Sequence, residues 1–538
     1  MKILTSKQMN EVDRLTSDQF HLPSLLLMEN AGLNLYYVLR EYFEDLENLQ
    51  IAIVCGKGNN GGDGIVLARQ LIQRNRTPSV YLLSRVQDVS GDARVNLDAY
   101  LRAGAEVIEV TSEQQWQEIS PALSSCDIIV DALLGTGISK PLKGLYSRAV
   151  STINSTDAFV LCADIPSGMF SDSLTGDVQT VQADATVTFA APKIAHVLND
   201  DQEAIGDLHV VPIGTPAVLL DNSNYYLNLV TREQVLSYLP PRRVKSHKGD
   251  LGHVALVAGS RGKSGAAVLS GTSALRTGSG LVTVYTPRDV QDSVSCFQPE
   301  LMTEGLPSTA LGALSIEAAD PLLDHLQDKD AVGIGPGLTR EEETTKLVHQ
   351  VVRQSPIPMV IDADALNAFE GEVDRLSNAQ GQPLVLTPHP GEFSRIIGKP
   401  VGTILTDRVT LSREFAQERG VWLVLKGFRT LVAEPKGQVF VCPLGNPGMA
   451  TAGMGDVLTG VLTAMVGLFA ARGLVDPTQI SQAVVLGVYL HSLAGDLAEI
   501  KTGPESLSAG DAISHLSQAY RVLATGDLEN DPQESLEL

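Results

Sequence analysis

Short apolar runs alternate with helical patterns along almost the whole chain, and this alternation limits the fold more than any other feature. In the first part the runs fall at 51–55, 80–83, 128–132, 159–163, 185–189 and 209–211. Helix-like spacing lies between most of them, as in Ile65, Leu67, Ala68 and Leu71. Strands separated by helices build a mostly parallel sheet with both faces covered. The pattern lapses in "VPIGTPAVLLDNSNYYLNLVTREQVLSYLPPRRVKSHKGDLG", where Pro, Asn and Ser punctuation places a boundary near residue 222. A second series follows at 253–258, 281–285, 331–334, 359–361, 384–386, 422–425 and 439–441. The expected class is therefore α/β, with domains at 1–221 and 222–525. Residues 526–538, "GDLENDPQESLEL", are acidic and read as a disordered tail.

Composition narrows the partners. With 43% hydrophobic and 19% charged residues in 538, the chain can bury sizeable cores. The net charge of −23 repels phosphate backbones, so no nucleic-acid partner is expected. Small anions remain open, because backbone N–H groups bind them locally. Five scattered cysteines (55, 126, 162, 296, 442) with no C-x-x-C fit a reduced, cytoplasmic protein. The N-terminus "MKILTSKQMNEVDRLTSD" has no apolar signal core. The longest uncharged run, 457–471, falls below the ~18–20 residues of a membrane span and reads as a buried helix, so no membrane partner is expected. A homo-oligomer is expected.

The loop "CGKGNNGGDG" ends one apolar run and opens a helix. Gly56, Gly58 and Gly61 satisfy G-x-G-x-x-G. A dinucleotide site also needs an acid ~20 positions on, at the end of the next strand. That strand ends "YLLSR", without one, and no Gly-Lys-Ser/Thr completes a P-loop. Alone, the loop reads equally as a ligand site or as a tight turn with Asp63 at a helix N-terminus, where an acid is favoured. Two more strand ends shift the balance. "DIIVDALLGTGISKPLKG" ends a run at Asp131, and "AFVLCADIPSGM" ends one at Asp164. In a parallel sheet these loops share one edge, gathering Asn59, Asn60, Asp63, Asp131, Asp164 and Ser167. Oxygen donors in that number suit a hard cation, and glycine amides suit a phosphate.

In the second half, Gly453, Gly455 and Asp456 immediately precede an apolar helix. Free amides at its start could stabilise a transferring phosphoryl group, and Asp456 could take a proton from a substrate hydroxyl. An ordinary Asp cap with packing glycines is the alternative. Asp362 and Asp364 in "IDADALNAF" could orient a metal or water, or cap the helix that follows.

"GKGNNGGDG", "DALLGTG" and "DIPSG", in this order, resemble the NAD(P)HX epimerase domain over residues 1 to about 220. NAD(P)HX is NAD(P)H hydrated at the nicotinamide ring, and that family interconverts its R and S epimers. "GHVALVAGSRGKSGAAVLSGTSALRTGSGLVTV", "AVGIGPGL", "VIDADALNAF", "LTPHPGEF", "VLKGFRTLV" and "PLGNPGMATAGMGDVLTG" are similar to the ADP/ATP-dependent NAD(P)HX dehydratase, over about residues 230–520. The resemblance implies a Rossmann-like three-layer first domain and a ribokinase-like second one.

It also implies roles. In the first domain the hydrate would contact Asn59, Asn60, Gly61, Gly62, Asp63, the loop Gly135, Thr136, Gly137, Ile138, Ser139, Lys140 and Pro141, and Tyr146. Asn60, Asp131 and Ser167 would hold a potassium ion, with Asp164 at the reacting ring as a proton shuttle. In the second, Ala266, Gly337, His389 and Asp456 would contact the hydrate. Lys426, Gly427, Phe428, Arg429, Thr430 and Gly455 would contact ADP or ATP, with Mg2+ as companion. Met454 stands where a small hydroxyl residue is commoner, and Ala258 where a second glycine is frequent. The expected activity is bifunctional repair of hydrated cofactor. The rivals are a ribokinase-like small-molecule kinase with a regulatory N-terminal domain, and a first domain that binds without turnover.

Overall fold

The computed structural model describes residues 1–46, 48–176 and 178–526. The chain divides into two compact units, the first spanning Met1–Tyr225 and the second beginning at Tyr226. The acidic tail lies, from residue 527 on, outside the described residues.

The first unit holds a seven-stranded sheet of β1 (Ile51–Cys55), β2 (Ser79–Leu82), β3 (Ile108–Glu109), β4 (Ile128–Ala132), β5 (Phe159–Ala163), β6 (Ala185–Phe189) and β7 (Asp207–Val211). Its order is β3-β2-β1-β4-β5-β6-β7, and every pairing is parallel. The strands read as unbroken apolar runs because both faces are covered. Ile51, Ile53 and Cys55 pack into one core with Leu35, Val66 and Tyr100. Ala52 and Val54 point the other way, into a core with Trp116, Val150 and Ile153. The strand order reverses between β1 and β4. That reversal is where loops diverge and leave a crevice beyond the carboxyl ends.

The second unit holds ten strands: β8 (Leu227–Leu229), β9 (His253–Val257), β10 (Leu281–Pro287), β11 (Met302–Leu306), β12 (Ala331–Ile334), β13 (Met359–Ile361), β14 (Leu384–Leu386), β15 (Trp422–Leu425), β16 (Leu431–Ala433) and β17 (Val439–Val441). The order is β11-β10-β9-β12-β13-β14-β15-β16-β17-β8. All pairings are parallel except β15–β16 and β16–β17. β3, β8, β11 and β16 escape a reading by apolar runs. β3 has only two residues, both exposed, and β11 has a single buried residue, Leu306. β8 lies in the punctuated segment after residue 222, yet it pairs with β17 at the sheet's edge.

The uncharged run at 457–471 belongs to the helix Met454–Ala471, most of which is buried. It is longer than the run suggested, at 18 residues, and a second helix, Pro477–Thr502, has 26. Both are long and apolar enough to cross a membrane by length and composition; here 72% and 89% of their apolar windows are buried inside the unit. The Met454–Ala471 helix packs closely on the helix Ser264–Thr277. A Cβ on Gly460 would stand 2.1 Å from both the Ser270 carbonyl oxygen and Ser273 Oγ. Gly460→Val is therefore expected to cost at least about 2 kcal/mol through overpacking, read as a fall in the denaturation midpoint of the second unit.

Candidate functional sites

In the first unit the loops after β1, β4 and β5 meet at the reversal of strand order. Their glycines are set by close approach. A Cβ on Gly56 would stand 2.0 Å from the Leu133 carbonyl oxygen, and one on Gly61 would stand 1.8 Å from that of Gly56. Gly56 is thus fixed by packing against the loop after β4, and Gly61 by the fold of its own loop. The helix Asn59–Ile72 starts here, with Asn60, Gly61, Gly62 and Asp63 all buried in its first turns.

Asp131, in β4, is fully buried. Its Oδ1 accepts from Ser167 Oγ (2.7 Å) and Leu133 N–H (3.1 Å), and its Oδ2 from Ser167 N–H (2.8 Å). Among the described residues no ammonium or guanidinium pairs with it. Burial raises its carboxyl above the ordinary value, against the pull of those hydrogen bonds. Asn60 is 8% exposed, and neither its amide oxygen nor its amide nitrogen has a partner. A buried polar group left so is costly and points to something missing.

Asp164 follows β5 with φ of +66°, a left-handed conformation uncommon outside glycine. Its Oδ1 accepts from Lys193 Nζ (2.6 Å) and Thr188 Oγ1 (3.1 Å). Burial opposes its charge, but the Lys193 ammonium outweighs burial and holds the carboxyl below its ordinary value. Two more carboxylates sense this cluster. Burial first, then the charges of Asp164 and Asp13, push Asp63 well above the carboxylate range. Burial likewise pushes Asp13, on the helix Ser6–Phe20, up to about 6, and its Oδ1 has no partner. Asp164 Oδ2 and Asn60 Cγ each lie 3.6 Å from where a Cβ on Gly135 would sit. The three loops therefore converge on one spot.

The other expected residues of this unit spread outward. Thr136, Gly137, Ile138, Ser139, Lys140 and Pro141 form an irregular, largely accessible loop. Tyr146 is half-buried and its hydroxyl donates to the Leu83 carbonyl at 3.4 Å, beyond the end of β2. Lys193, Thr188 and Asp13 were not legible as site residues. The one signal is a lysine in the apolar stretch "TFAAPKIAHVL".

In the second unit the ends of β13, β14 and β15 present Asp362, His389 and Lys426. Lys426 Nζ donates to Asp362 Oδ1 (2.7 Å), and Thr459 Oγ1 donates to Asp362 Oδ2 (2.7 Å). Asp362 occupies the cap position of the helix Ala363–Asn367 but makes no side-chain capping bond; its carboxylate holds Lys426 instead. Asp364 accepts from Thr339 N–H (2.9 Å) and Lys263 Nζ (3.1 Å). Burial works against the Lys426 charge, but Asp362 and Glu392 outweigh it and keep the ammonium above its ordinary value.

A cavity of about 820 Å³ opens over these strand ends, lined among others by His389, Lys426, Phe428, Thr430, Gly455 and Asp456. Gly427 and Arg429 line it too, in the turn between β15 and β16. Asp456 sits in the first turn of the Met454–Ala471 helix. Burial, and then the negative charge of Asp362, push its carboxyl up to about 6 although Lys426 pulls it down. A Cβ on Gly455 would be 3.4 Å from Lys426 Nζ, so ammonium and helix N-terminus adjoin. His389 caps the helix Pro390–Ile397, its Nδ1 accepting from Gly391 N–H (3.0 Å), while half of its side chain stays exposed at the cavity. Met454 is buried, and its carbonyl lies 3.2 Å from His491 Nε2. Ala266 and Gly337 adjoin one another, with a Gly337 Cβ 3.0 Å from that of Ala266, where the second sheet reverses between β9 and β12. They are not among the residues lining the large cavity.

Comparison with known proteins covers both units. Residues 254–518 match the family described as NAD(P)H-hydrate dehydratase, and residues 24–195 the YjeF-related protein N-terminus. The bifunctional NAD(P)H-hydrate repair enzyme Nnr of Moorella thermoacetica is 41% identical over 524 residues, covering 97% of each chain. Its namesake from Thermofilum pendens is 37% identical over 525 residues, again 97% of each. Among solved structures, the ADP/ATP-dependent NAD(P)H-hydrate dehydratase of Bacillus subtilis, co-crystallised with ATP and Mg2+, is 30% identical, with a TM-score of 0.48, covering 55% of this chain and 98% of its own. With such relatives matched end to end, the chain belongs to the family of bifunctional NAD(P)H-hydrate repair enzymes.

Proposed function

We propose that the first unit interconverts the R and S epimers of NAD(P)HX and that the second dehydrates the S epimer to NAD(P)H, converting ADP to AMP and phosphate (or ATP to ADP and phosphate). The observation that carries this reading is a pair of aspartates with opposite electrostatic settings, each at the carboxyl edge of its own sheet. Asp164 is held charged by Lys193, while Asp456 is raised to about 6 beside a helix N-terminus. Inverting a ring carbon that bears a hydroxyl needs a group that gives and takes protons there, which suits Asp164.

Dehydration needs a better leaving group than hydroxide. Asp456 takes the hydroxyl proton, and that oxygen attacks the terminal phosphoryl group. The O–P bond forms as the bond to the departing nucleotide breaks. Lys426 and the helix amides at Gly455 stabilise the charge that gathers on the phosphoryl oxygens. Phosphate then leaves the ring carbon, and loss of a proton from its neighbour restores the double bond. The nucleotide lies along Lys426, Gly427, Phe428, Arg429 and Thr430, with the hydrate towards His389, Ala266 and Gly337. Mg2+ would arrive with the nucleotide, bound largely by its phosphates. Among the described residues no group of three or more His, Cys, Asp or Glu side chains stands ready to hold a metal.

The first unit's oxygen donors fit potassium. Among the described residues Asp131 is a buried carboxylate without a basic partner, Ser167 lies against it, and the Asn60 amide oxygen is orphaned. A bound monovalent cation would give the Asn60 oxygen a partner and the Asp131 charge a counterion. Rubidium soaked into crystals of the protein should give an anomalous peak between Asn60, Asp131 and Ser167; an empty site at saturating rubidium would overturn the assignment. Five free cysteines fit a reducing compartment and so support a cytoplasmic location.

The whole reading is tested by incubating the protein with mixed NADHX epimers, with and without ADP, and following NADH absorbance. Complete conversion that depends on ADP is expected. A stable phosphorylated product without NADH would favour the small-molecule kinase instead.

A further inference from the structure

We propose that Lys193 is a positioning residue of the epimerase site: it clamps one carboxylate oxygen of Asp164 and so dedicates the other, Oδ2, to the substrate. The proposal rests on the reading of Asp164 as the epimerising group.

The geometry is specific. Lys193 is 1% exposed, one of the largest side chains buried so completely. Its ammonium has three donors, and all three are used: Asp164 Oδ1 at 2.6 Å, Thr188 Oγ1 at 2.8 Å and the Phe189 carbonyl at 3.3 Å. Thr188 Oγ1 in turn donates its proton to the same Asp164 Oδ1. Two donors thus converge on Oδ1, and no hydrogen bond reaches Oδ2 among the described residues. That bare oxygen is the one beside Asn60 and the glycine gap at Gly135. The ammonium cannot drift, because the strand end that carries Thr188 and Phe189 holds it from behind.

A buried ion pair is weak evidence of a contribution to stability, since desolvation cancels much of the attraction. A lysine brought into this position has a different consequence. Asp164 sits near two other carboxyl groups, Asp63 on the helix Asn59–Ile72 and Asp13 on the helix Ser6–Phe20. His196, on the helix Ile194–Leu198, adds no charge at neutral pH: burial and the neighbouring ammonium push it down to about 3. Lys193 is therefore the one cation facing this carboxyl cluster among the described residues. It decides which carboxyl keeps its charge. Asp164, in direct contact, stays ionised, while Asp63 and Asp13 are the ones raised. Environments that push neighbouring carboxyl groups apart in this way separate proton acceptors from proton carriers.

The test uses the full chain and single-epimer NADHX, with the rate of epimerisation measured across pH. Lys193→Met is expected to slow epimerisation by about 100-fold or more at neutral pH. It should also move the acid limb of the profile upward by about 1–3 units, because Asp164 loses the opposite charge within 4 Å. Lys193→Arg should recover much of the acid limb's position, though not the full rate, since a planar fork cannot reproduce a compact ammonium. Thr188→Val, which keeps shape and removes one donor from Oδ1, should shift the limb in the same direction by less; it carries the test if Lys193→Met does not fold. Dehydration of pure S-NADHX with ADP should be unchanged in all three. A uniform loss of rate with the acid limb unmoved would mean that Lys193 only supports the fold, and would overturn the proposal, as would wild-type behaviour of Lys193→Met. No epimerisation by the wild-type chain would instead overturn the functional reading, and this proposal with it.

Discussion

Asp456→Asn is expected to lose nucleotide-driven dehydration by roughly 10²–10⁴ in rate while epimerisation continues unchanged. The amide keeps the shape of the side chain in the first turn of the Met454–Ala471 helix, and with it the packing of that helix. It cannot accept the hydroxyl proton. The wild-type chain should show the complementary pH dependence. Burial and the charge of Asp362 place the Asp456 carboxyl at about 6. The base works when it is unprotonated, so the rate should fall as pH drops through about 6 and level off above it. A base poised near the working pH is still strong enough to accept a proton and is mostly free to do so. In Asp456→Asn the residual rate should lack that limb. Near-normal dehydration by the variant, or an acid limb that survives in it, would show that Asp456 is a helix cap and that the proton goes elsewhere.

Asp456 was legible because its setting is local. Glycines, an acid and then an uninterrupted apolar helix are all contained in "GMGDVLTGVLTAMVGL". The same holds for the strand ends at Asp131 and Asp164, where an apolar run stops on an acid and a glycine loop follows. Because the strands are buried on both faces, their apolar runs are continuous and mark the sheet well. β3 and β11 are edge strands without that signature; β8 and β16 are buried, but β8 has an Asn between its two leucines and β16 is a three-residue run just after the turn at Gly427.

What the sequence hid is how the side chains of each site pair. Lys193 lies 29 residues beyond the Asp164 it clamps, and Lys426 lies 64 beyond Asp362. Such pairs arise only when parallel strands bring their carboxyl ends together, and no local pattern encodes them. Asp362 shows the same limit in another form. The sequence leaves a helix cap and an orienting role open, and the carboxylate makes no capping bond because an ammonium and a hydroxyl occupy both its oxygens. Glycines err in the opposite direction. Gly56 and Gly61 look like ligand-binding positions in the loop after β1, yet each is required first by a carbonyl oxygen about 2 Å from where its Cβ would be.

Asp164→Ala should abolish enzyme-driven epimerisation and leave dehydration of pure S-NADHX at the wild-type rate. Asp164 follows β5 in the first unit, and Asp456 opens a helix in the second. Each sheet has its own reversal of strand order and its own crevice, so each chemistry is housed in one unit. Alanine removes the carboxylate proposed to react and leaves Lys193 buried without its partner, which costs stability locally. Asp164→Asn, which keeps a hydrogen-bond acceptor for that lysine, separates this effect from the loss of chemistry and should be equally inactive as an epimerase. With mixed epimers and ADP, both variants should convert the S fraction quickly and then slow to the spontaneous rate of epimerisation. The wild-type chain should run to completion in a single faster course. The two-phase trace is a sharper readout than a rate alone, because its amplitude reports the S fraction present at the start. If a folded Asp164→Asn also stopped turnover of pure S-NADHX, the assignment of the two reactions to separate sites would fail. If it epimerised at the wild-type rate, the charged pair at Asp164 and Lys193 would have to serve the fold, and the reacting proton would have to be sought among Asp63 and Asp13.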